Sequence, residues 1–553
     1  MTPDASATTT RLDALFAPYQ RADAPGLVAG VTYRGRVIYR RGLGMASLEH
    51  GIANTPATRM RIGSVSKHFT CLAVLLLCEK GSLDADAPIG AYLPELPPAA
   101  GAPTLRQLMS HRGGQRCALD LALLTQGLAI SPRGALLASQ QRQRDENFPP
   151  GERMMYSNGG YHLLSLAIER ASGMPFDAFL ATHIFDPMRM RDTACVSNDM
   201  TIERGIATMH VPDGQAGFRR GIFPSWEVLG EGSIVSTVDD MLRWTAHLHS
   251  GEKIVGNADT WAQMLALPVF SSGQRSQYSL GLKQSVYRGV GLIHHSGGVV
   301  GGTCQMLLSA EHGLDVVLLS NGAVNAPFEL SKRVVDIVLA GELSGDGPPV
   351  AARAANHAAR LGSYRSSSSG AVYALEDRDG SLVLTGLLCP KPSITLYDSD
   401  NDLNDVEIEA SADGAMALRW GSPGAPDDLS CIRILHCGHA DMFTRLGEAP
   451  ALTPRLIAGM PGTFESHDAN ARATIRLDGE ALVLRMQGAV GGCDYRLTPL
   501  ASDVFALTPV DPMDLMTGIV TLTRDAASAH ITGFRVDTPR TRHLAFTPVR
   551  ADA

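Results

Sequence analysis

Ser64-Val65-Ser66-Lys67-His68-Phe69-Thr70-Cys71-Leu72-Ala73-Val74-Leu75-Leu76-Leu77-Cys78-Glu79-Lys80, stopped by Gly81, is the stretch from which the fold is read. Its apolar run predicts a buried helix over residues 64–80, with the glycine as its C-terminal stop. Upstream, residues 28–33 and 37–39 are rich in β-formers on either side of Arg34-Gly35-Arg36 and predict a hairpin. Downstream, residues 161–171 predict a second helix closed by Ser172-Gly173, and residues 238–249 a third with Gly251 past its end. Strand signals return at residues 291–308 and 314–319. Strands, helices, then strands again predict an antiparallel sheet flanked by helices, an α+β unit.

The Gly- and Pro-rich residues 341–350 read as a linker. Beyond it helical periodicity gives way to short β-runs with frequent turns, the pattern of sandwiches or barrels. This region repeats itself. Gly362-Ser363-Tyr364-Arg365-Ser366 is answered by Gly462-Thr463-Phe464-Glu465-Ser466, and Asp379-Gly380 by Asp478-Gly479. Met442-Phe443-Thr444 matches Ala545-Phe546-Thr547 near the end. A single repetition at a period of about 100 residues means duplicated domains and not a solenoid. The expected division is 1–341, a linker at 342–354, then all-β units at 355–450 and 455–553.

Three short patterns carry chemistry. Ser64 and Lys67, three apart at a helix start, share a face, and unpaired backbone N–H groups there favour negative charge. A lysine removed from water can lose its charge and take the serine's proton; arginine cannot. The same spacing fits an N-cap serine beside a solvated lysine. With six lysines against 42 arginines, each surviving lysine invites a reason. Tyr156-Ser157-Asn158 follows a turn-rich approach; a phenol there can relay protons and an amide can hold a carbonyl, although such a tripeptide is also an ordinary Asx-turn loop. In His294-His295-Ser296-Gly297-Gly298, His295 and Gly297 share a strand face and His294 faces away, as a structural residue. The N–H of Gly298, with that of Ser64, would form an oxyanion hole.

Composition bounds the rest. A net charge of −8 over 553 residues gives no reason to expect nucleic acid or membrane as a partner. The first twenty residues lack the basic start and apolar core of an export signal, and nine scattered cysteines suit a reducing compartment, so a cytoplasmic location is expected. His436, Cys437 and His439, with Cys431, read as packing residues and not a metal site, and no metal or organic cofactor is expected.

Ser-x-x-Lys, Tyr-x-Asn and His-x-Gly, in that order, resemble the serine beta-lactamase-like, penicillin-recognising superfamily, in the branch with class C beta-lactamases and DD-carboxypeptidases. The likeness extends through Phe148-Pro149-Pro150-Gly151, the run from Tyr156 to Leu164, Ser172-Gly173-Met174-Pro175-Phe176 and His183-Ile184-Phe185-Asp186-Pro187-Met188, covering roughly residues 20–340. His295 stands where class C beta-lactamases carry lysine, which counts against a dedicated beta-lactamase. With two β-units appended, and Phe69-Thr70-Cys71 after Ser-Val-Ser-Lys, the layout is similar to the bacterial D-aminopeptidase family. That resemblance implies two antiparallel eight-stranded barrels after the catalytic domain, and a homodimer. It also implies a Gly-rich loop from the last barrel near the active site, which would be Gly488-Ala489-Val490-Gly491-Gly492, a stretch that reads equally as a hairpin tip. Glu231 sits where the family has an acidic residue and would receive a substrate ammonium. The implied activity is release of N-terminal D-amino acids from peptides, amides or esters. Ser64 would attack, Lys67 and Tyr156 move protons, and Asn158, His295, Gly297 and Gly298 position the substrate. Beta-lactams are implied inhibitors. The alternatives are a broad esterase, DD-peptidase or beta-lactamase relative, and a penicillin-binding module without turnover.

Overall fold

Arg34 and Gly35 both take positive φ, 50° and 74°, the twist that a tight hairpin turn demands, and they fold strand β1 (Leu27–Tyr33) back on β2 (Arg36–Leu43). The structure, a computed structural model, describes residues 5–549 apart from 216, 323, 325, 345–350, 387–392, 399–404, 409–415, 437–438, 512 and 526–529. The hairpin joins four strands from far down the chain, β3 (Lys283–Tyr287), β4 (Val290–Val299), β5 (Gly302–Ser309) and β6 (Leu314–Ser320). The sheet runs β3-β4-β5-β6-β1-β2, antiparallel throughout.

Every residue of β1 and β6 is buried, because helices cover both faces of the sheet. Leu27, Ala29 and Val31 meet α1 (Ala5–Phe16) and α6 (Pro327–Val338) on one side. Val28, on the other side, joins the core around α2 (Lys67–Glu79) and α5 (Val238–His249). Within α2 everything from Lys67 to Leu77 is buried. Each fully buried leucine there contributes about 1.5–3 kcal/mol, so the helix is fixed by packing and not by propensity. The second expected helix is α4 (Asn158–Ser172), ended by Gly173 in the left-handed conformation. The α+β unit expected from the sequence is therefore the one observed.

One boundary differs. The expected helix from Ser64 begins at Lys67; residues Gly63–Ser66 form a 3-10 turn ahead of it. In a 3-10 turn residues i and i+3 eclipse, so the shorter helix brings Ser64 and Lys67 closer in line than an α-turn would.

The two following units are antiparallel and all-β, as expected. The first is a nine-strand sheet whose edges are Ser393–Thr395 and Tyr397–Asp398. Leu396 alone separates these edges, so the sheet curls until one kinked stretch of chain serves both. The second is a closed eight-strand barrel from Gly462–Ser466 to Thr541–Pro548. The sequence repeat is visible as closure. Tyr364 pairs with Arg445 in the first unit, and Phe464 with Pro548 in the second, so first and last strands meet in both. Much of the expected linker, residues 345–350, lies outside the described residues.

Helix α3 (Ala118–Gln126) was not legible from periodicity, because it is apolar nearly all round. Its Leu121 and Leu124 enter the core of the closed barrel. The Tyr495 hydroxyl donates to the Leu124 carbonyl at 2.9 Å. Beside it the buried Arg116 donates to the Arg542 carbonyl and to Asp468, at 2.9 and 2.8 Å. No helix among the described residues is long and apolar enough to cross a membrane.

Candidate active site

Gly63 and Gly297 let two backbones touch. A Cβ on Gly297 would lie 1.9 Å from the Ile62 carbonyl oxygen, and one on Gly63 2.9 Å from the Gly298 nitrogen. Only glycine permits β4 to press against the Ser64 turn this closely. Ser64 and Gly298 are thereby brought together in the wall of a cleft of about 550 Å³.

Lys67 is fully buried beneath Ser64. Its Nζ lies 3.0 Å from Ser64 Oγ and donates to Asn158 Oδ1 at 2.8 Å and to the Glu231 carbonyl at 2.7 Å. Burial is the largest influence on this ammonium, opposed by the Glu231 carboxylate and assisted by Arg540, and it lowers the pKa to about 7. A neutral amine has two N–H bonds and one lone pair. Asn158 Oδ1 and the Glu231 carbonyl can only accept, so they take the two N–H bonds and the lone pair faces Ser64.

Each partner is held by its own local structure. Asn158 opens α4, where the Ser157 hydroxyl caps the helix by accepting from the Gly160 N–H. One turn along α2 from Lys67, the Thr70 hydroxyl donates to the Gly230 carbonyl at 3.0 Å, pinning the residue before Glu231. Lys67 Nζ also stands 4.8 Å from the centroid of the Tyr156 ring.

Glu231 is buried and lines the cleft. Its Oε1 is 3.4 Å from His162 Nδ1, and Glu227 approaches the other ring nitrogen at 3.7 Å. These carboxylates outweigh the effect of burial and raise the His162 pKa. Glu231 Oε2, by contrast, is buried without a hydrogen-bond partner among the described residues.

His295 lines the cleft beside Ser296, Gly297 and Gly298. Its Nδ1 is 2.7 Å from the Ser296 carbonyl, which only accepts, so Nδ1 carries the proton and Nε2 accepts from the Tyr278 hydroxyl at 3.0 Å. Burial, reinforced by the nearby Lys283 and Lys67 charges, holds its pKa well below the usual histidine range. Both nitrogens are thus occupied within the wall. His294 faces the other way, its ring stacked on Phe328 with centroids 4.3 Å apart.

The Gly-rich loop packs on the segment that follows the cleft-lining Leu119 and Leu123. Residues 488–492 do not line the cleft. They press on the end of α3 and the residues just after it, where a Cβ at Gly491 would lie 2.5 Å from the Ala129 Cβ and 2.8 Å from the Gln126 carbonyl oxygen. Gly488 and Gly491 serve close packing against this segment, whereas Gly492 packs on Met486 and Gln487 of its own hairpin. The barrel reaches the cleft instead through Met513, Leu515 and Arg540. Of the cysteine–histidine cluster, Cys437 lies outside the described residues; Cys431 is buried, and His439 Nε2 contacts Asp441 at 3.2 Å.

Sequence reasoning missed three neighbours. His111 Nδ1 accepts from the Ser157 N–H at 3.1 Å and its ring lies 4.0 Å from that of Tyr156. Tyr278 orients His295, and the Arg540 guanidinium stands 4.8 Å from the Tyr156 ring centroid. No short-range spacing links any of them to the motifs.

A family model described as beta-lactamase matches residues 12–340. The chain belongs to the beta-lactamase family. Among its relatives, the D-aminopeptidase of Brucella ovis is 27% identical over 509 residues, with 90% of each chain covered. In fold, the octameric penicillin-binding protein homologue from Pyrococcus abyssi is similar with a TM-score of 0.55 at 20% identity, covering 80% of this chain and 100% of its own. The D-amino acid amidase from Ochrobactrum anthropi, solved with L-phenylalanine amide, gives 0.51 at 23% identity, covering 61% of this chain and 98% of its own. This beta-lactamase-family chain is thus a hydrolase of the beta-lactamase/DD-peptidase superfamily.

Proposed function

We propose that the chain releases N-terminal D-amino acids from small peptides, amides or esters through an acyl-enzyme on Ser64. The observation that carries this reading is the lysine whose two N–H bonds are spoken for and whose lone pair faces Ser64 Oγ at 3.0 Å. Ser64 Oγ bonds to the substrate carbonyl carbon as its proton passes to Lys67. The oxyanion turns toward the backbone N–H groups of Ser64 and Gly298. Tyr156, beside Lys67, hands a proton to the leaving amine as the C–N bond breaks, and takes one back from Lys67. Water then adds to the ester, Ser64 Oγ leaves with a proton, and the acid is released. Asn158, its oxygen committed to Lys67, offers its NH₂ to the substrate carbonyl, while His295 and Tyr278 shape the wall.

Selection for a free amine is supported by Glu231, whose buried Oε2 a substrate ammonium would satisfy. The D-aminopeptidase relative supports the stereochemistry. We divide the chain as expected from its sequence, with 1–341 catalytic and the β-units at 355–450 and 455–553.

The test is a panel of D- and L-alanine p-nitroanilides, p-nitrophenyl acetate and nitrocefin, with Ser64→Ala as control. Turnover of the D-anilide in preference to the L-anilide, with slower turnover of the acetate ester and both lost in Ser64→Ala, is expected. Ester turnover without stereochemical preference would instead mark a general esterase, and a nitrocefin burst without steady state a penicillin trap.

A further inference from the structure

The cleft is walled largely by apolar side chains, among them Leu119, Leu123, Val211, Phe223, Met513 and Leu515. Its charged lining among the described residues is Glu231, Glu329 and Arg540. Glu329 is paired with Lys332 at 3.1 Å. Arg540 is then the cation that the cleft presents, and it comes from the closed barrel, from the hairpin turn between Ile531–Thr538 and Thr541–Pro548.

The turn is anchored to the catalytic unit by its own backbone. The Arg540 carbonyl accepts from the Cys117 N–H at 3.2 Å and from Asn147 Nδ2 at 3.1 Å. Asp120 lies 3.9 Å from the guanidinium and aligns it. From this fixed base the side chain reaches over the Tyr156 ring. Tyr156 is the group that protonates the leaving amine in the proposed reaction, so Arg540 stands on the leaving-group side of Ser64.

We propose that Arg540 receives the free α-carboxylate of the leaving residue, so that the preferred substrates are zwitterionic D-dipeptides. Their ammonium goes to Glu231 and their carboxylate to the barrel's arginine. The inference rests on the D-aminopeptidase reading above. In a dipeptide the carboxylate carbon is two bonds from the leaving nitrogen, about 2.5 Å away, which keeps it beside the proton donor that Arg540 overhangs. A guanidinium carries five N–H donors in a fork that matches a carboxylate, and the apolar walls make that pairing stronger than it would be in water. A dipeptide also suits a cleft of about 550 Å³.

The experiment compares kcat/KM for D-alanyl-D-alanine and its C-terminal amide in the full-length protein, in Arg540→Gln and in Arg540→Lys. The native protein is expected to favour the free acid. Arg540→Gln should reduce that acid-to-amide ratio about 10- to 100-fold, chiefly through KM for the acid, and Arg540→Lys should restore part of it. A ratio unchanged in Arg540→Gln while both substrates slow would overturn the proposal, since the arginine would then act on Tyr156 and Lys67 alone. So would a native protein that does not discriminate acid from amide. If neither substrate is cleaved by the native protein, the D-aminopeptidase reading fails first. Should the glutamine variant not fold, inhibition of the native protein decides. N-Acetyl-D-alanine is expected to inhibit anilide turnover more strongly than N-acetyl-D-alaninamide, and equal inhibition overturns the inference.

Discussion

The carbonyl oxygen of Glu231 accepts from Lys67 Nζ at 2.7 Å, so the residue that offers its carboxylate to the cleft also fixes the Lys67 amine with its backbone. The two contributions are separable by mutation. Glu231→Gln keeps the carbonyl and removes the charge that holds the Lys67 pKa up. The acid limb of kcat/KM should therefore move to lower pH, while KM for free-amine substrates rises about tenfold or more and KM for esters without an amine changes little. Parallel pH–rate profiles with D-alanine p-nitroanilide and p-nitrophenyl acetate measure both.

In the proposed reaction Lys67 must be neutral to accept a proton, and its pKa is lowered to about 7. The free protein's kcat/KM should rise with pH to a plateau, with its midpoint near that value. His295 is already neutral there and does not set the limb. Lys67→Arg should lose about 10²–10⁴-fold in kcat, because a guanidinium does not deprotonate.

The same shift links to stability. The unfolded chain keeps this lysine protonated up to about its ordinary 10.5, whereas the folded chain releases the proton near 7. Folding therefore releases a proton between those values, and stability from this group rises as pH rises through that window. Lys67→Met should flatten the slope, as read by urea denaturation at pH 7, 8 and 9.

At Gly297 an added methyl meets the Ile62 carbonyl. Gly297→Ala should push β4 off the Ser64 turn, costing about 1–3 kcal/mol of stability. It should lower kcat more than it changes KM. Thermal denaturation and steady-state kinetics on the same preparation check this.

Arg116 joins the catalytic unit to the barrel, through Asp468 and through two barrel carbonyls. Arg116→Ala should cost about 1.5–3 kcal/mol and loosen the barrel's hold on α3. Limited proteolysis should then cut residues 117–130 faster than in the native protein.

How much of this was legible in the sequence depends on the range of each interaction. Ser64 and Lys67 are three apart, and Tyr156 and Asn158 two apart, so local geometry already brings each pair to one side. Their convergence was legible only through the resemblance; it is made by β4 pressing on Gly63 and by Thr70 gripping Gly230, contacts with no sequence period. His111 and Arg540 lie 45 and 384 residues from Tyr156 and are unreadable for that reason. What the Gly-rich loop packs on was not legible, because glycine records close approach without saying to what, and for Gly491 the neighbour is Gln126. The start of α2 was misjudged because a 3-10 turn has the same composition as a first α-turn.

Helix α3 packs Leu121 and Leu124 into the barrel while Leu119 and Leu123 wall the cleft. Grafting this barrel elsewhere, or trimming it away, would therefore not yield a smaller enzyme with its reaction centre intact. It would strip one hydrophobic flank from a helix that is otherwise held by Ala135–Gln141 and α4, and the cleft would lose a side together with the residues that the barrel lends it.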